Sequence, residues 1–150
     1  MDKVTKLGLV LLGILVIFLL YSSLSNVSAK PQVTAYKSAN CGCCVGYIAE
    51  LKRSGYEVKT IVTEDMKSIK DRYGIPRYME SCHTTILGDY FVEGHVPLEV
   101  LNILIEEQPE IEGIALPNMP SGSPGMPGKK TGTWTIYSSK NGEFSEFMTI

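Results

Sequence analysis

The sequence lacks the clustered positive charge that nucleic-acid binding requires. Its 14 lysines and arginines are scattered, as Lys52, Arg53, Lys67 and Arg77 illustrate, and its formal net charge is −2. Aromatic residues make up only 9% of the chain and do not alternate with the bases. Such a surface could neutralise few phosphate charges. We therefore expect no nucleic-acid partner.

The chain also has no internal repeat, and its one long apolar run lies at the N-terminus. Leu7–Leu20 is apolar, Lys3 and Lys6 precede it, and Val27-Ser28-Ala29 places small residues where a signal peptidase cleaves. This is the layout of a secretory signal, with cleavage expected after Ala29.

The same segment has the length of a retained membrane anchor. Residues 7–24 number 18, and a spanning helix needs about 17 to 25 residues. Because the positive residues precede the apolar run, both interpretations place residues 30–150 in the periplasm or another extracytoplasmic space. Contact with a membrane is expected only through residues 7–24, if they are not removed.

Residues 1–29 are thus predicted to be a signal peptide or membrane anchor, and residues 30–150 a single domain. Without Asp2, Lys3 and Lys6, that domain keeps 12 bases and 15 acids, a net charge of −3. Its 121 residues can bury a hydrophobic core, so the domain does not need disulfides to fold.

The pattern of apolar residues and turn residues predicts the element order β-α-β-α-β-β-α. Gly55 and Gly74 end the first two helices, Thr63 is the expected N-cap of the second, and Gly88-Asp89 is a hairpin turn. This order is that of a thioredoxin-like α/β domain. Strands are expected at residues 33–36, 56–62, 84–87 and 90–93, and helices at about 41–55, 63–73 and 97–107.

Two further segments follow the third helix. Pro117–Gly128 contains too many prolines and glycines to form a helix or a central strand, and we call it the Pro/Gly segment. Residues 133–137 and 144–148 are predicted to form a C-terminal hairpin that turns at Asn141-Gly142.

The cysteines form the candidate site, which we call the four-cysteine site: Cys41, Cys43, Cys44 and Cys82. Three of them lie at a predicted strand-to-helix turn, where the positive end of the helix dipole favours thiolates. Two structural disulfides explain this spacing poorly. Bridges within residues 41–44 close almost no loop, and adjacent cysteines pair only in a strained ring.

Two functional interpretations remain. Cys41 and Cys44 have the C-x-x-C spacing of a thiol–disulfide oxidoreductase, although Cys43 and Cys82 would offer competing disulfides. If Cys82 instead faces the 41–44 turn, four thiolates converge on a site that selects copper(I), zinc or an iron–sulfur cluster. Structural zinc sites usually pair two C-x-x-C motifs, and iron–sulfur assembly is not expected outside the cytoplasm. Copper(I), in a multinuclear thiolate cluster, is therefore the first candidate.

Four other side chains are candidate accessory metal ligands. His83 follows Cys82 directly and would bind a metal or orient one of its ligands, whereas the position of His95 before a helix is more typical of capping or packing. Met119 and Met126 carry soft thioethers. They would either cover the site or simply pack the Pro/Gly segment against the domain.

Four ordered motifs resemble the CopG-type copper-resistance proteins, a thioredoxin-like family long described only as a domain of unknown function. They are Tyr36-Lys37-Ser38 with Cys41-Gly42-Cys43-Cys44, then Ser81-Cys82-His83-Thr84, Glu93-Gly94-His95-Val96-Pro97 and Ser123-Pro124-Gly125-Met126. The resemblance covers about residues 32–128 and implies a periplasmic protein that holds copper on the four cysteines. The family usually has glycine where this chain has Asn118.

We therefore expect an extracytoplasmic copper(I)-binding protein that buffers or handles copper in copper resistance. Copper ions, and other copper-handling proteins, are the expected partners. A metal-binding role is favoured over an enzymatic one. The alternative is a thiol–disulfide oxidoreductase that uses Cys41 and Cys44.

Overall fold

The computed structural model of the chain describes residues 2, 11–18 and 30–150. Residues 11–18 are helical. Most of the predicted signal or anchor, including the expected cleavage site after Ala29, lies outside the described residues. Within the described part, none of the helices has both the length and the apolar character needed to cross a membrane.

The domain begins with a parallel β-α-β unit. Strand β1 (Gln32–Lys37) leads into helix α1 (Gly42–Arg53), and strand β2 (Glu57–Val62) returns beside β1. Gly55, with a φ of 88°, reverses the chain after α1 because glycine adopts this left-handed conformation without steric cost. The predicted parallel β-α-β unit is confirmed.

An antiparallel hairpin and a covering helix complete the predicted order. Helix α2 (Met66–Arg72) precedes a 3-10 turn (Arg77–Met79), strand β3 (His83–Leu87) and strand β4 (Tyr90–Gly94), and helix α3 (Leu98–Glu107) follows. Strand β3 runs antiparallel to both β1 and β4. The strand order β2-β1-β3-β4 therefore confirms the thioredoxin-like α/β fold.

The sheet is wider than the sequence indicated. A fifth strand, β5 (Gly113–Leu116), pairs in parallel with β4 and joins the C-terminal hairpin to the sheet. That hairpin consists of β6 (Thr135–Lys140) and β7 (Glu143–Thr149), with the predicted turn at Asn141-Gly142. The seven strands of residues 30–150 form one sheet in the order β2-β1-β3-β4-β5-β6-β7.

Helices cover both faces of this sheet. Tyr47 and Leu51 of α1 share one core cluster with Leu101 and Leu104 of α3. Helix α2 lies on the opposite face, because its Lys70 contacts Thr84 and Glu93, whose side chains alternate with those that face α1.

Helix α2 begins later than the sequence indicated. Its N-cap is Asp65, whose side chain accepts a hydrogen bond from the Ser68 N–H at 3.0 Å, and not the predicted Thr63. The Thr63 hydroxyl instead accepts from the Asp65 N–H at 3.1 Å. Both residues are good caps, and the choice between them depends on this local hydrogen bonding.

The Pro/Gly segment has neither helix nor strand, as predicted, but it is held in a defined shape. Ser123 is buried and its hydroxyl donates to the Pro120 carbonyl at 2.7 Å. Asn118 and Met119 both have positive φ, 67° and 44°. Asparagine tolerates this conformation better than most residues, which suits it to position 118.

Two glycines bring the Pro/Gly segment against α1. A Cβ added to Gly46 would lie 2.9 Å from the Gly125 Cα, and one added to Gly125 would lie 2.4 Å from the Tyr47 nitrogen. Such distances are shorter than van der Waals contact. The segment can therefore pack on α1 only while both positions lack a side chain.

The contact between Gly46 and Gly125 predicts that alanine substitutions at two glycines of α1 will have different effects. Gly46→Ala should destabilise the domain by about 1–3 kcal/mol through overpacking, and should speed tryptic cleavage after Lys129 and Lys130. Gly42→Ala is the matched control, because a Cβ there meets nothing within 4 Å. Urea unfolding and timed proteolysis would measure both variants. Equal effects of the two substitutions would contradict the proposed role of the glycine contact.

Candidate metal centre

The antiparallel pairing of β1 and β3 brings the two cysteine-bearing segments together. Lys37, the last residue of β1, lies opposite His83, the first of β3. The turn after β1 therefore lies beside the residue before β3, which is Cys82. The Lys37 ammonium donates to the carbonyl oxygens of Ser38 and Ala39, at 2.7 and 3.3 Å, and so holds that turn.

Helix α1 begins within the cysteine motif. Cys41 is its N-cap, and the Cys41 Sγ accepts a hydrogen bond from the Cys44 N–H at 3.3 Å. Cys44 is fully buried in the first turn, whereas Cys43 is partly exposed. The start of the helix thus directs three sulfur atoms toward one region.

The four sulfur atoms lie close together, all within 4.8 Å of one another. Cys82 Sγ is 3.5 Å from the Sγ atoms of both Cys43 and Cys44. Cys43 Sγ is in turn 3.6 Å from Cys41 Sγ. The expectation that the fold places Cys82 beside the 41–44 turn is therefore met.

Cys41 and Cys44 are joined by a disulfide, with their Cα atoms 5.4 Å apart, while Cys43 and Cys82 are free thiols. The sequence had indicated four thiolates. As a disulfide, the first pair offers no thiolate to a metal. Once reduced, the site contains four soft sulfur donors close enough to share copper(I) ions, so these residues fit the metal.

Both histidines of the chain lie against Cys82. The Cys82 Sγ is 3.0 Å from His95 Nε2 and 3.4 Å from His83 Nδ1. His95 Nδ1 lies 2.7 Å from the Pro124 carbonyl oxygen, which can only accept, so Nδ1 carries the proton. His95 Nε2 therefore presents a lone pair to Cys82. The sequence had favoured capping or packing for His95.

Burial keeps these groups neutral in the metal-free protein. It is the main cause that raises the pKa of the Cys82 thiol to about 12, and a hydrogen bond with Cys43 adds to the rise. Burial also lowers the pKa of His95 and, more strongly, that of His83. A neutral Cys82 S–H donating to His95 Nε2 is the arrangement that these shifts favour.

His83 is held between two rings and has one unused nitrogen. Its ring centroid lies 4.6 Å from that of Tyr47 and 4.7 Å from that of His95. His83 Nε2 is buried and finds no hydrogen-bond partner among residues 30–150. The structure therefore places His83 beside the sulfurs, at the position where the sequence had predicted a ligand or an orienting residue.

The Pro/Gly segment lies over the start of α1. Besides the Pro124 carbonyl on His95, a Cβ added to Gly125 would fall 2.8 Å from the Cys43 carbonyl oxygen. Met126 follows directly and is partly buried, whereas Met119 is 37% exposed. The segment thus covers part of the site through its backbone.

A buried ion pair behind the site was not foreseen from the sequence. Lys70 of α2 contacts Glu93 of β4, and their side chains are 4% and 0% exposed. Glu93 also accepts from the Thr84 hydroxyl, at 2.6 Å, and from the Ser81 N–H. The only signal in the sequence was Glu93 itself, an acidic residue in an otherwise apolar strand two residues before His95.

Comparison with protein families gives one match. The family model described as "Protein of unknown function, DUF411" matches residues 79–126, which include Cys82, both histidines and most of the Pro/Gly segment. A search of curated proteins found no match to the chain.

Two solved structures resemble the whole domain. "Copper resistance protein copG- Form 2" has a TM-score of 0.73 and 36% identity, over 79% of this chain and 97% of the other. "Copper resistance protein copG- Form 1" has a TM-score of 0.71 and 35% identity, over 81% and 98%.

The raised pKa predicts how Cys82 reacts in the metal-free protein with its disulfide intact. Iodoacetamide attacks the thiolate, and the pKa rise from 9.0 to about 12 reduces the thiolate fraction about tenfold per unit. At pH 8, alkylation of Cys82 should therefore be at least about a hundredfold slower than in the urea-unfolded protein. Its rate should increase as the pH rises toward 10. Mass spectrometry of the labelled peptide measures this rate. Equal rates in folded and unfolded protein would contradict the raised pKa of Cys82.

Proposed function

Because the chain belongs to the family of CopG-type copper resistance proteins, we propose that it binds copper(I) at the four-cysteine site and so buffers or handles copper in copper resistance. The observation that carries this proposal is the convergence of four sulfur atoms within 4.8 Å. They come from two segments separated by 38 residues of sequence. Such a concentration of soft donors suits copper(I) better than a hard cation.

The four cysteines differ in their readiness to bind a metal, and a neighbouring histidine can accept a thiol proton. Cys43 and Cys82 are available as thiols. Cys41 and Cys44 become available once an external dithiol reductant gives two electrons and two protons to their disulfide and is itself oxidised to a disulfide. Metal binding requires the loss of thiol protons. His95 Nε2, 3.0 Å from the Cys82 sulfur, is a base positioned to receive one of them.

Location outside the cytoplasm is part of the proposal. It is supported by the signal-like or anchor-like features of residues 1–29. The Cys41–Cys44 disulfide agrees with an oxidising compartment, since such bonds rarely persist in the cytosol. In this setting other copper-handling proteins would be the sources and recipients of the metal.

One observation favours a second candidate, a thiol–disulfide oxidoreductase. Cys41 and Cys44 form a disulfide at the N-terminus of the first helix of a thioredoxin-like sheet. Helix N-termini lower cysteine pKa values and so promote disulfide exchange. On this alternative, Cys41 and Cys44 act as a redox pair, and Cys43 is dispensable.

The choice of metal gives the first test of the copper proposal. The fully reduced protein, kept free of oxygen, should bind copper(I) far more tightly than zinc, because all four of its cysteine donors are soft. Competition against a copper(I) chelator and against a zinc indicator would measure the two affinities. Tighter zinc binding, or copper saturation without copper–thiolate absorption in the ultraviolet, would contradict the proposal.

Substitution of Cys43 separates the two candidate functions. Cys43→Ser should lower the number of copper(I) ions bound and reduce the affinity at least about tenfold, because its sulfur lies between those of Cys41 and Cys82. An oxidoreductase that uses Cys41 and Cys44 should keep or improve its disulfide-reducing activity in this variant. Metal analysis and an insulin-reduction assay would be run on the same samples. Unchanged copper binding together with unchanged reductase activity would favour the enzyme.

A further inference from the structure

We infer that Glu93, held by Lys70, is a positioning residue that fixes the Cys82 loop for metal binding through the backbone N–H of Ser81. The inference rests on the proposed copper(I) function of the four-cysteine site. The hydrogen bonds of Glu93 and Lys70 go to each other, to Ser81 and to Thr84, so the effect acts through the chain segment that carries Cys82.

Glu93 connects three parts of the fold. One carboxylate oxygen, Oε1, accepts from the Lys70 ammonium and from the Ser81 N–H. The other, Oε2, accepts from the Thr84 hydroxyl at 2.6 Å. These donors belong to α2, to the loop before β3 and to β3 itself. Both residues that flank the Cys82-His83 pair are therefore bonded to one carboxylate.

The loop that carries Ser81 and Cys82 is also held by close packing against Gly94. A Cβ added to Gly94, the neighbour of Glu93, would lie 2.7 Å from the Cβ of Ser81. The Ser81 loop thus rests directly on the backbone between Glu93 and His95. Because Cys82 follows Ser81 and lies 3.0 Å from His95 Nε2, any movement of this loop changes the distance between sulfur and imidazole.

The burial of the Lys70–Glu93 ion pair carries a desolvation cost that its fold-stabilising effect alone does not explain. Removing two charges from water often costs more than their attraction returns, and apolar replacements of buried pairs are often neutral or stabilising. Lys70 and Glu93 are almost completely buried, so a stabilising role alone would be served as well by apolar side chains. What apolar side chains cannot supply is an acceptor for the Ser81 N–H.

Two double variants isolate that acceptor. Lys70→Met with Glu93→Gln removes both charges but keeps an amide oxygen for the Ser81 N–H. Lys70→Met with Glu93→Leu removes the charges and the acceptor together. Both variants avoid leaving a lone buried charge, so both should fold, which thermal unfolding would verify.

The two variants should differ in copper(I) binding. The Gln variant should keep its affinity within about threefold of the wild type. The Leu variant should lose about tenfold to a hundredfold, the loss commonly seen when a residue that orients a metal ligand is removed. Competition with a copper(I) chelator gives the affinity of each reduced protein.

Two measurements on the metal-free, disulfide-intact protein test the positioning without copper. In the Leu variant the Ser81 amide should lose its protection from hydrogen exchange, and Cys82 should be alkylated at least about fivefold faster, since the loop opens more often. In the Gln variant both rates should stay close to those of the wild type.

Adjacent threonines provide a matched control. Thr84 and Thr85 are both fully buried on β3, but only Thr84 donates to Glu93, while the Thr85 hydroxyl has no partner within residues 30–150. Thr84→Val should reproduce part of the change in Cys82 alkylation. Thr85→Val should leave both Cys82 alkylation and copper(I) affinity unchanged.

The outcomes separate this inference from the proposed function. If the wild type binds copper(I) and the folded Leu variant matches it in affinity, Ser81 exchange and Cys82 alkylation, Glu93 is not a positioning residue. If the wild type binds no copper(I), the proposed function fails, and the exchange and alkylation rates still decide whether Glu93 holds the loop. A Leu variant that does not fold would show that the pair is needed for stability and would overturn the inference, unless Thr84→Val shows the expected change.

Discussion

The register between β1 and β3 is the constraint on which the site depends. Because Lys37 lies opposite His83, the end of one strand and the start of the other meet at the same edge of the sheet. A shift of one residue would move every β3 side chain to the other face. His83 would then leave Tyr47, and Thr84, together with its β4 partner Glu93, would leave Lys70 of α2. Both the sulfur cluster and the ion pair behind it would be lost together.

The two faces of β3 carry different parts of the polar network. His83 points toward α1, where it packs between Tyr47 and His95, and Thr84 points toward α2, where it donates to Glu93. Cys82 precedes both and is linked to each network, to the first by its sulfur and to the second through the backbone of Ser81. Three buried polar atoms near Cys82, the Ser81 hydroxyl, His83 Nε2 and the Thr85 hydroxyl, find no partner within residues 30–150. Because buried polar groups are usually paired, these exceptions concentrate at the candidate site.

The order of elements could be predicted because local signals agree with the fold. Gly55, Gly88-Asp89 and Asn141-Gly142 mark turns that the backbone needs, and the apolar periodicity of the helices is clear. Strand β5 was missed for a physical reason. Its four residues are all buried, so they show no alternation of apolar and polar side chains, and a run that short is compatible with either a helix or a strand.

The sulfur cluster was predictable from spacing, whereas its surroundings were not. Three cysteines within four residues, and a fourth before a strand that the fold must return to the same edge, define the cluster by topology alone. The roles of His95 and Glu93 depend on contacts between residues that are distant along the chain. No local pattern indicates that the Pro124 carbonyl sets the tautomer of His95, or that Lys70 pairs with Glu93.

The Pro/Gly segment shows how an irregular loop can be as constrained as a strand. Its position on α1 requires two glycines at the point of contact, Gly46 and Gly125, and its Pro124 carbonyl requires the proton on His95 Nδ1. The backbone of the segment therefore decides which nitrogen of His95 faces Cys82. If the segment moved away, Nδ1 would lose its acceptor and either nitrogen could then carry the proton. The chemistry available at the Cys82 sulfur thus depends on a glycine contact made on the neighbouring helix.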